Sequence, residues 1–311
     1  SDYLVILQDT TWTGTVDITG KTVQVDKGAK LTISKGTQVI GGNTGRIDVW
    51  GSLIVDGQSD SLVHFEDVNI NFGHSGYRHA AVIDIDFAYI KGGSFLSNWK
   101  NAGTLALKDS TLESLMSYSV IANPASDAVI ARNIFKNSGG FEVTTSVSPT
   151  KTGELTGGTV SFQNNFFYDD QAWYSTEYAP SIINVRNTFE YGTGTDGTVL
   201  INKNSFMNTA RTALSISPQQ SSPQKVNAQS NWFNTTKMED INARITDQND
   251  DLVYENIINI AGSLSQADPG TPDVLGIPTY ETKSQNTNNI VILQDTTWTG
   301  TVDIKGKTVQ V

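Results

Sequence analysis

QNNFF, residues 163–167, carries an Asn and a Phe two positions apart, and that step recurs along the chain. It returns in ARNIF (Asn133, Phe135), VRNTF (Asn187, Phe189), NKNSF (Asn204, Phe206) and QSNWF (Asn231, Phe233). With Asn165 and Phe167 these five motifs stand 32, 22, 17 and 27 residues apart. A constant motif with elastic spacing describes a structural corner that repeats while the loops between corners vary, which is the pattern of a solenoid. Each Asn suits a turn and can bond its side-chain amide to the Asn one coil away. Each Phe faces inward and stacks on its neighbours, and burying one contributes roughly 1.5–3 kcal/mol.

Outward from these corners the chain keeps the same style. KLTISKGTQVIGG, RIDVWGSLIVDGQSD, AVIDIDFAYIKGG and TLALKDSTLES read as short alternating strands broken by Gly and Asp. Twenty-seven glycines and a hydrophobic share of 37 % fit many short strands with thin cores, not packed helices. The expected fold is all-β, a solenoid of parallel strands stacked at ~4.8 Å. At ~22 residues per coil, ~250 residues make about eleven coils and a rod of roughly 50 Å. The one helical pattern is TKMEDINARITDQNDD: Thr236 caps, Glu239 completes a capping box, and Met238, Ile241 and Ile245 form the apolar stripe of a short closing helix.

A second repeat is longer. Val5–Val25 returns as Val291–Val311 with one change, Thr19 against Lys305, an offset of 286 residues. Such near-identity points to tandem copies of one unit, an engineered duplication being the other reading. The expected organisation is a solenoid over 1–266, a Pro-rich linker or extended tail over 267–289, and the beginning of the next repeat over 290–311. Val5–Val25 is then the first rung. Its copy is too short to fold alone, so it is disordered or pairs with an exposed end of the same or another rod.

Charge and composition narrow the function. A net charge of −11 argues against nucleic acid, and no apolar run is long enough for membrane insertion as a helix. With no cysteine, the fold is held by burial and hydrogen bonds alone.

VDKGAKLTISKGTQVIGG (25–42) and GSLIVDGQSDSLVHFED (51–67) resemble the opening coils of secreted bacterial right-handed parallel β-helix, pectin-lyase-like proteins. NWFNTTKMEDINARITDQNDD (231–251) resembles their closing stretch, with Asn234 where Gly is common. The resemblance spans residues 10–260. It implies a right-handed single-stranded parallel β-helix. In tandem, it implies a cell-surface or secreted, extracellular, adhesin-like protein whose neighbouring repeats form a rigid stalk. The fold also hosts polysaccharide lyases, hydrolases and epimerases, so fold alone does not give function.

Candidate site residues fall into three groups. Asp84 and Asp86 share one strand face, with Lys108 a coil or two further on; they could serve as acid and base of a polysaccharide-active enzyme, or form an ion pair across coils. Arg132, Arg186 and Lys203 each precede a corner Asn and would stack into a basic column able to hold an anionic glycan, or serve as solvated charge. The loop from Tyr168 carries Trp173, Tyr174 and Tyr178 beside carboxylates, a composition suited to sugar stacking or to covering the sheet. Asp247, Asp250 and Asp251 leave room for Ca²⁺ or form a local turn; no other cofactor is expected. His64, His74 and His79 fit no zinc spacing. The expected function is a non-catalytic repeat module that contacts polysaccharide or cell-surface glycan, with a lyase or glycoside hydrolase as the alternative.

Overall fold

The structure is a computed structural model that describes residues 2–72, 81–97, 104–115, 119–122, 127–144, 159–170, 181–185, 198–208, 211–217, 225–253, 257–278, 289–291 and 308–310. Among them the chain is nearly all β, and every strand ladder is parallel. In the first three sheets each strand pairs with the one three places further along. Asp2–Ile6, Lys21–Val25, Arg46–Val49, Asn69–Phe72 and Ser94–Ser97 make the first sheet. A second sheet holds nine strands from Thr10–Trp12 to Lys225–Asn227, and a third holds eight from Thr15–Asp17 to Ser205–Phe206. Five more strands, Ser119–Ala122 to Ile245–Thr246, take the first sheet's place in the later part of the chain. The chain thus visits three sheets in turn on each circuit, an arrangement compatible with a β-helix or solenoid.

Among the described residues the second sheet holds nine strands, against the about eleven coils expected. The difference lies in long excursions between strands. Phe162 is paired with Ile201, one circuit on, although 39 residues separate them in sequence.

Pleat alternation sorts the side chains. In the third sheet Val39, Phe65, Ile90, Leu112, Phe135, Phe167 and Phe206 occupy equivalent positions and point inward, all buried. The rings of Phe135, Phe167, Phe206 and Phe233 stack at 5.0, 5.1 and 5.2 Å, close to the strand spacing that sets them. Two residues before each ring stands an Asn with no exposure: Asn133, Asn165, Asn204 and Asn231. Each of the first three donates its Nδ2 to the Oδ1 of the next at 3.0 Å, and its backbone N–H bonds the same oxygen. The ladder passes from Asn165 straight to Asn204, and the rings from Phe167 straight to Phe206. Asn187 and Phe189 lie outside the described residues.

The residue before each Asn takes a left-handed backbone: Arg132, Asn164, Lys203 and Ser230 have φ between 54° and 59°. A second left-handed column follows the third sheet at Asp67, Gly92, Ser114 and Asn137. Burial, and next the charge of Glu66, raise the Asp67 pKa above its ordinary value. The folded state therefore takes up this proton before the unfolded chain does, so ionised Asp67 opposes folding at neutral pH. Asp67→Asn keeps a residue tolerant of positive φ and is expected to stabilise by less than about 1 kcal/mol. The gain is full above the raised pKa and shrinks as pH falls from there to 3.8; thermal melts at pH 7 and pH 3 that show no such difference refute it.

The closing helix is Met238–Asn242. Its N-cap is Lys237, with no side-chain cap, and Thr235 instead accepts from the Lys237 N–H; the expected Thr236–Glu239 box does not form. Ile245 lies beyond the helix, in the short strand Ile245–Thr246. Arg244, between the two, donates to the carbonyls of Phe206 (3.0 Å), Phe233 (2.8 Å) and Asn208, closing backbone acceptors at the end of the stack. Burial lowers its pKa to about 10, which leaves it charged at neutral pH.

The described part of the segment expected to be a linker, residues 267–278, lies back against the corners of the third sheet as a belt. Leu264 N–H bonds the Asn231 carbonyl at 2.8 Å. Asp268 accepts from Asn164 Nδ2 at 2.9 Å, and Thr271 donates to the Lys203 carbonyl at 2.5 Å. Gly276 then sits so close to Ile134 that a Cβ would stand 3.1 Å from its Cδ1. Ile134 and Phe166 point outward by pleat alternation, yet both are buried, in agreement with cover from this side.

Candidate functional site

The outer face of the second sheet carries the acidic pair. Strand Val82–Asp86 buries Ile83 and Ile85 and turns Asp84 and Asp86 outward. Asp86 is directly in register with Lys108 of Thr104–Lys108. Lys108 Nζ lies 3.0 Å from Asp86 Oδ2 and 4.0 Å from Asp84 Oδ1, so the structure brings these three residues together. The Asp86 hydrogen bond holds the ammonium above the ordinary lysine pKa. A lysine that must accept a proton near neutral pH needs the opposite shift. Asp84 Oδ1 is buried and has no hydrogen-bond partner.

Of the three cations expected in a basic column, Arg132 and Lys203 are among the described residues. Arg132 is clamped by Asp109 from the preceding circuit, with Nε and an Nη donating to the two carboxylate oxygens at 2.7 and 2.6 Å. That fork and the charge of Asp109 raise the guanidinium pKa. The next corner holds Asn164, not a cation. At the corner after it, the Lys203 ammonium stands 3.8 Å from belt residue Asp268. Arg186 lies outside the described residues.

Tyr168 is half-buried and stacks on Phe166 at 5.8 Å and 16°. Trp173, Tyr174 and Tyr178 lie outside the described residues, as do His74 and His79. His64 lies on the third sheet with its ring 5.8 Å from that of Tyr89. The carboxylates at 247–251 are engaged in a turn. Asp247, 2 % exposed, accepts from the N–H groups of Asn249 and Ile258; Asp250 accepts from Asp247 N–H and Asp251 from Val253 N–H. Among the described residues no group of three or more metal-ligating side chains converges.

Two polar clusters escaped the sequence reading. One is the belt's contact with Asn164 and Lys203. The other is a buried ion pair at the third corner: Arg211 Nε lies 3.3 Å from Asp169 Oδ2, and the guanidinium also donates to the carbonyls of Ser138 (2.7 Å) and Gly139 (3.1 Å). Asn208 Nδ2 donates to the same Asp169 oxygen at 3.0 Å. The cluster ties together three successive corners. Its only signal in the sequence is polar residues shortly after NIF, NFF and NSF, one circuit apart. Comparison of the chain with family models, curated proteins and solved structures returned no match.

Proposed function

We propose that the chain is a right-handed parallel β-helix of the pectin-lyase-like kind. In this reading it is a rigid, non-catalytic repeat module of a bacterial surface or secreted adhesin-like protein, in contact with extracellular glycan. The observation that supports a scaffold over an enzyme is the pairing of outward charges along the stack. Lys108 is held by Asp86, Arg132 by Asp109, and Lys136 lies 3.5 Å from Glu113 and 3.7 Å from Asp170. Such pairs rank as structural ties between coils and leave these groups poorly suited to moving protons. Sugar contact is assigned to the aromatic loop from Tyr168 through Trp173 and Tyr174 to Tyr178, on composition alone.

The second reading, a lyase or glycoside hydrolase, draws on the buried, unbonded Asp84 Oδ1 beside Lys108. A panel of uronic-acid and neutral polysaccharides separates the two. The expected result is retention of at least one polysaccharide without turnover, and loss of that retention, on the order of tenfold, in Trp173→Ala at unchanged melting temperature. Chain cleavage or unsaturated product that Asp84→Asn abolishes overturns the scaffold reading.

A further inference from the structure

The belt has a direction. It leaves the last circuit near Asn231, crosses the corners of Lys203 and Asn164, and reaches Ile134 at Gly276. It thus runs against the direction in which the coils were laid down. From the strand of Ile134 the third sheet continues through four more strands to its free edge at Thr15–Asp17. Those five strand spacings of ~4.8 Å amount to ~24 Å. Residues 279–288 can span up to roughly 35 Å, so the chain has the length to complete the return.

At the end of that path stands the copied segment. Strand Asn289–Val291 pairs in parallel with Thr308–Gln310, Asn289 with Thr308 and Val291 with Gln310. The equivalent residues of the first rung pair in the same register, Tyr3 with Thr22 and Val5 with Gln24. The copy thus adopts the pairing of the original. Asn289–Val291 also lies within 8 Å, Cα to Cα, of Thr15–Asp17. That strand is the outermost of the third sheet, and an outermost strand leaves one row of backbone groups without a ladder.

We propose that the belt returns the chain to the start of its own rod and seats the copied rung, in cis, against the first-rung edge at Thr15–Asp17. The occupant of that edge is this chain's own strand Asn289–Val291. The inference rests on the topology and the belt, and does not depend on glycan binding.

The absence of native cysteine makes the test direct. Asp17→Cys and Asn289→Cys, introduced together and treated with a short bis-maleimide, report the proximity. Seated in cis, the pair closes within one chain at an effective concentration in the millimolar range. At about 10 µM protein, intrachain product should therefore exceed interchain product on the order of a hundredfold. A control pair, Asp240→Cys with Asn289→Cys, probes the far end of the rod and should link at least tenfold more slowly. Asp268→Ala with Thr271→Ala, which loosens the belt, should slow the Asp17–Asn289 link without a matching fall in melting temperature. Predominantly interchain product means that the copy seats on a neighbouring rod and overturns the cis assignment. Equal rates for the two pairs, or no linkage in a protein whose circular dichroism is unchanged, overturn the proposal altogether. None of these readouts moves if the glycan reading alone fails.

Discussion

Asn165→Ala is expected to lower the free energy of unfolding by about 3–5 kcal/mol. The side chain is fully buried and works in both directions. Its Nδ2 donates to the Ile130 carbonyl at 2.8 Å and to Asn204 Oδ1 at 3.0 Å. Its Oδ1 accepts from the backbone N–H and the Nδ2 of Asn133, both at 3.0 Å. Truncation leaves two or three of these partners without a mate in a place water does not reach, and each orphan costs about 1–3 kcal/mol. Asn165→Asp is the sharper probe. An ionised carboxylate there cannot donate to Asn204 Oδ1 or to the Ile130 carbonyl, and burial raises its folded-state pKa above the ordinary ~3.9. The folded state then binds the proton more tightly than the unfolded state. The variant should regain stability as pH falls through that raised value toward ~3.9. Urea unfolding followed by far-UV circular dichroism checks both variants. A loss under about 1 kcal/mol for Asn165→Ala would remove the ladder from any account of what holds the corners.

The corner was readable in the sequence because one short motif carries both parts of it, the amide that bonds along the stack and the ring that fills the interior. VRNTF matches the motif locally but lies outside the described residues, among which Asn165 bonds Asn204 directly. In the other direction, the corner continues where the motif changes spelling. Ser110 stands in the Asn position, its Oγ accepting from the Ala88 N–H at 2.9 Å and its own N–H donating to Asn133 Oδ1 at 3.0 Å, and Leu112 stands in the ring's position. Reading that Ser110 corner would have placed Asp109 directly beside Arg132, where the structure has the clamp between them. Asp86 and Lys108 were legible as a cross-coil pair because both close alternating strands of equal length. The belt was not legible. ADPGTPDVLGIP has no period, and Pro and Gly read as a linker. Its docking depends on single contacts, such as Asp268 on Asn164 and a glycine against Ile134, that leave no pattern behind.

Phe167→Ala is the second large effect, about 3–5 kcal/mol, and it tests the register as well as the core. The ring is 2 % exposed and lies between Phe135 and Phe206, nearly parallel to both at 12° and 4°. Loss of a buried ring costs its transfer energy plus a cavity term, and the cavity term depends on how far the surroundings can relax. Here they relax little. The rings above and below are fixed to parallel strands whose backbone bonds hold them one strand spacing apart, so the gap cannot close without breaking those bonds. The effect should therefore lie toward the upper end of the range. Phe167→Leu fills most of the space and should cost under about 1.5 kcal/mol. The neighbouring Phe166 supplies the contrast. It points outward, and replacing it by Ala should cost less than replacing Phe167. A strand side-chain period of two leaves no middle ground: a one-residue slip would exchange the two faces. Should Phe166→Ala prove the more damaging of the pair in urea unfolding, the rings of the stack have been assigned to the wrong side of the sheet.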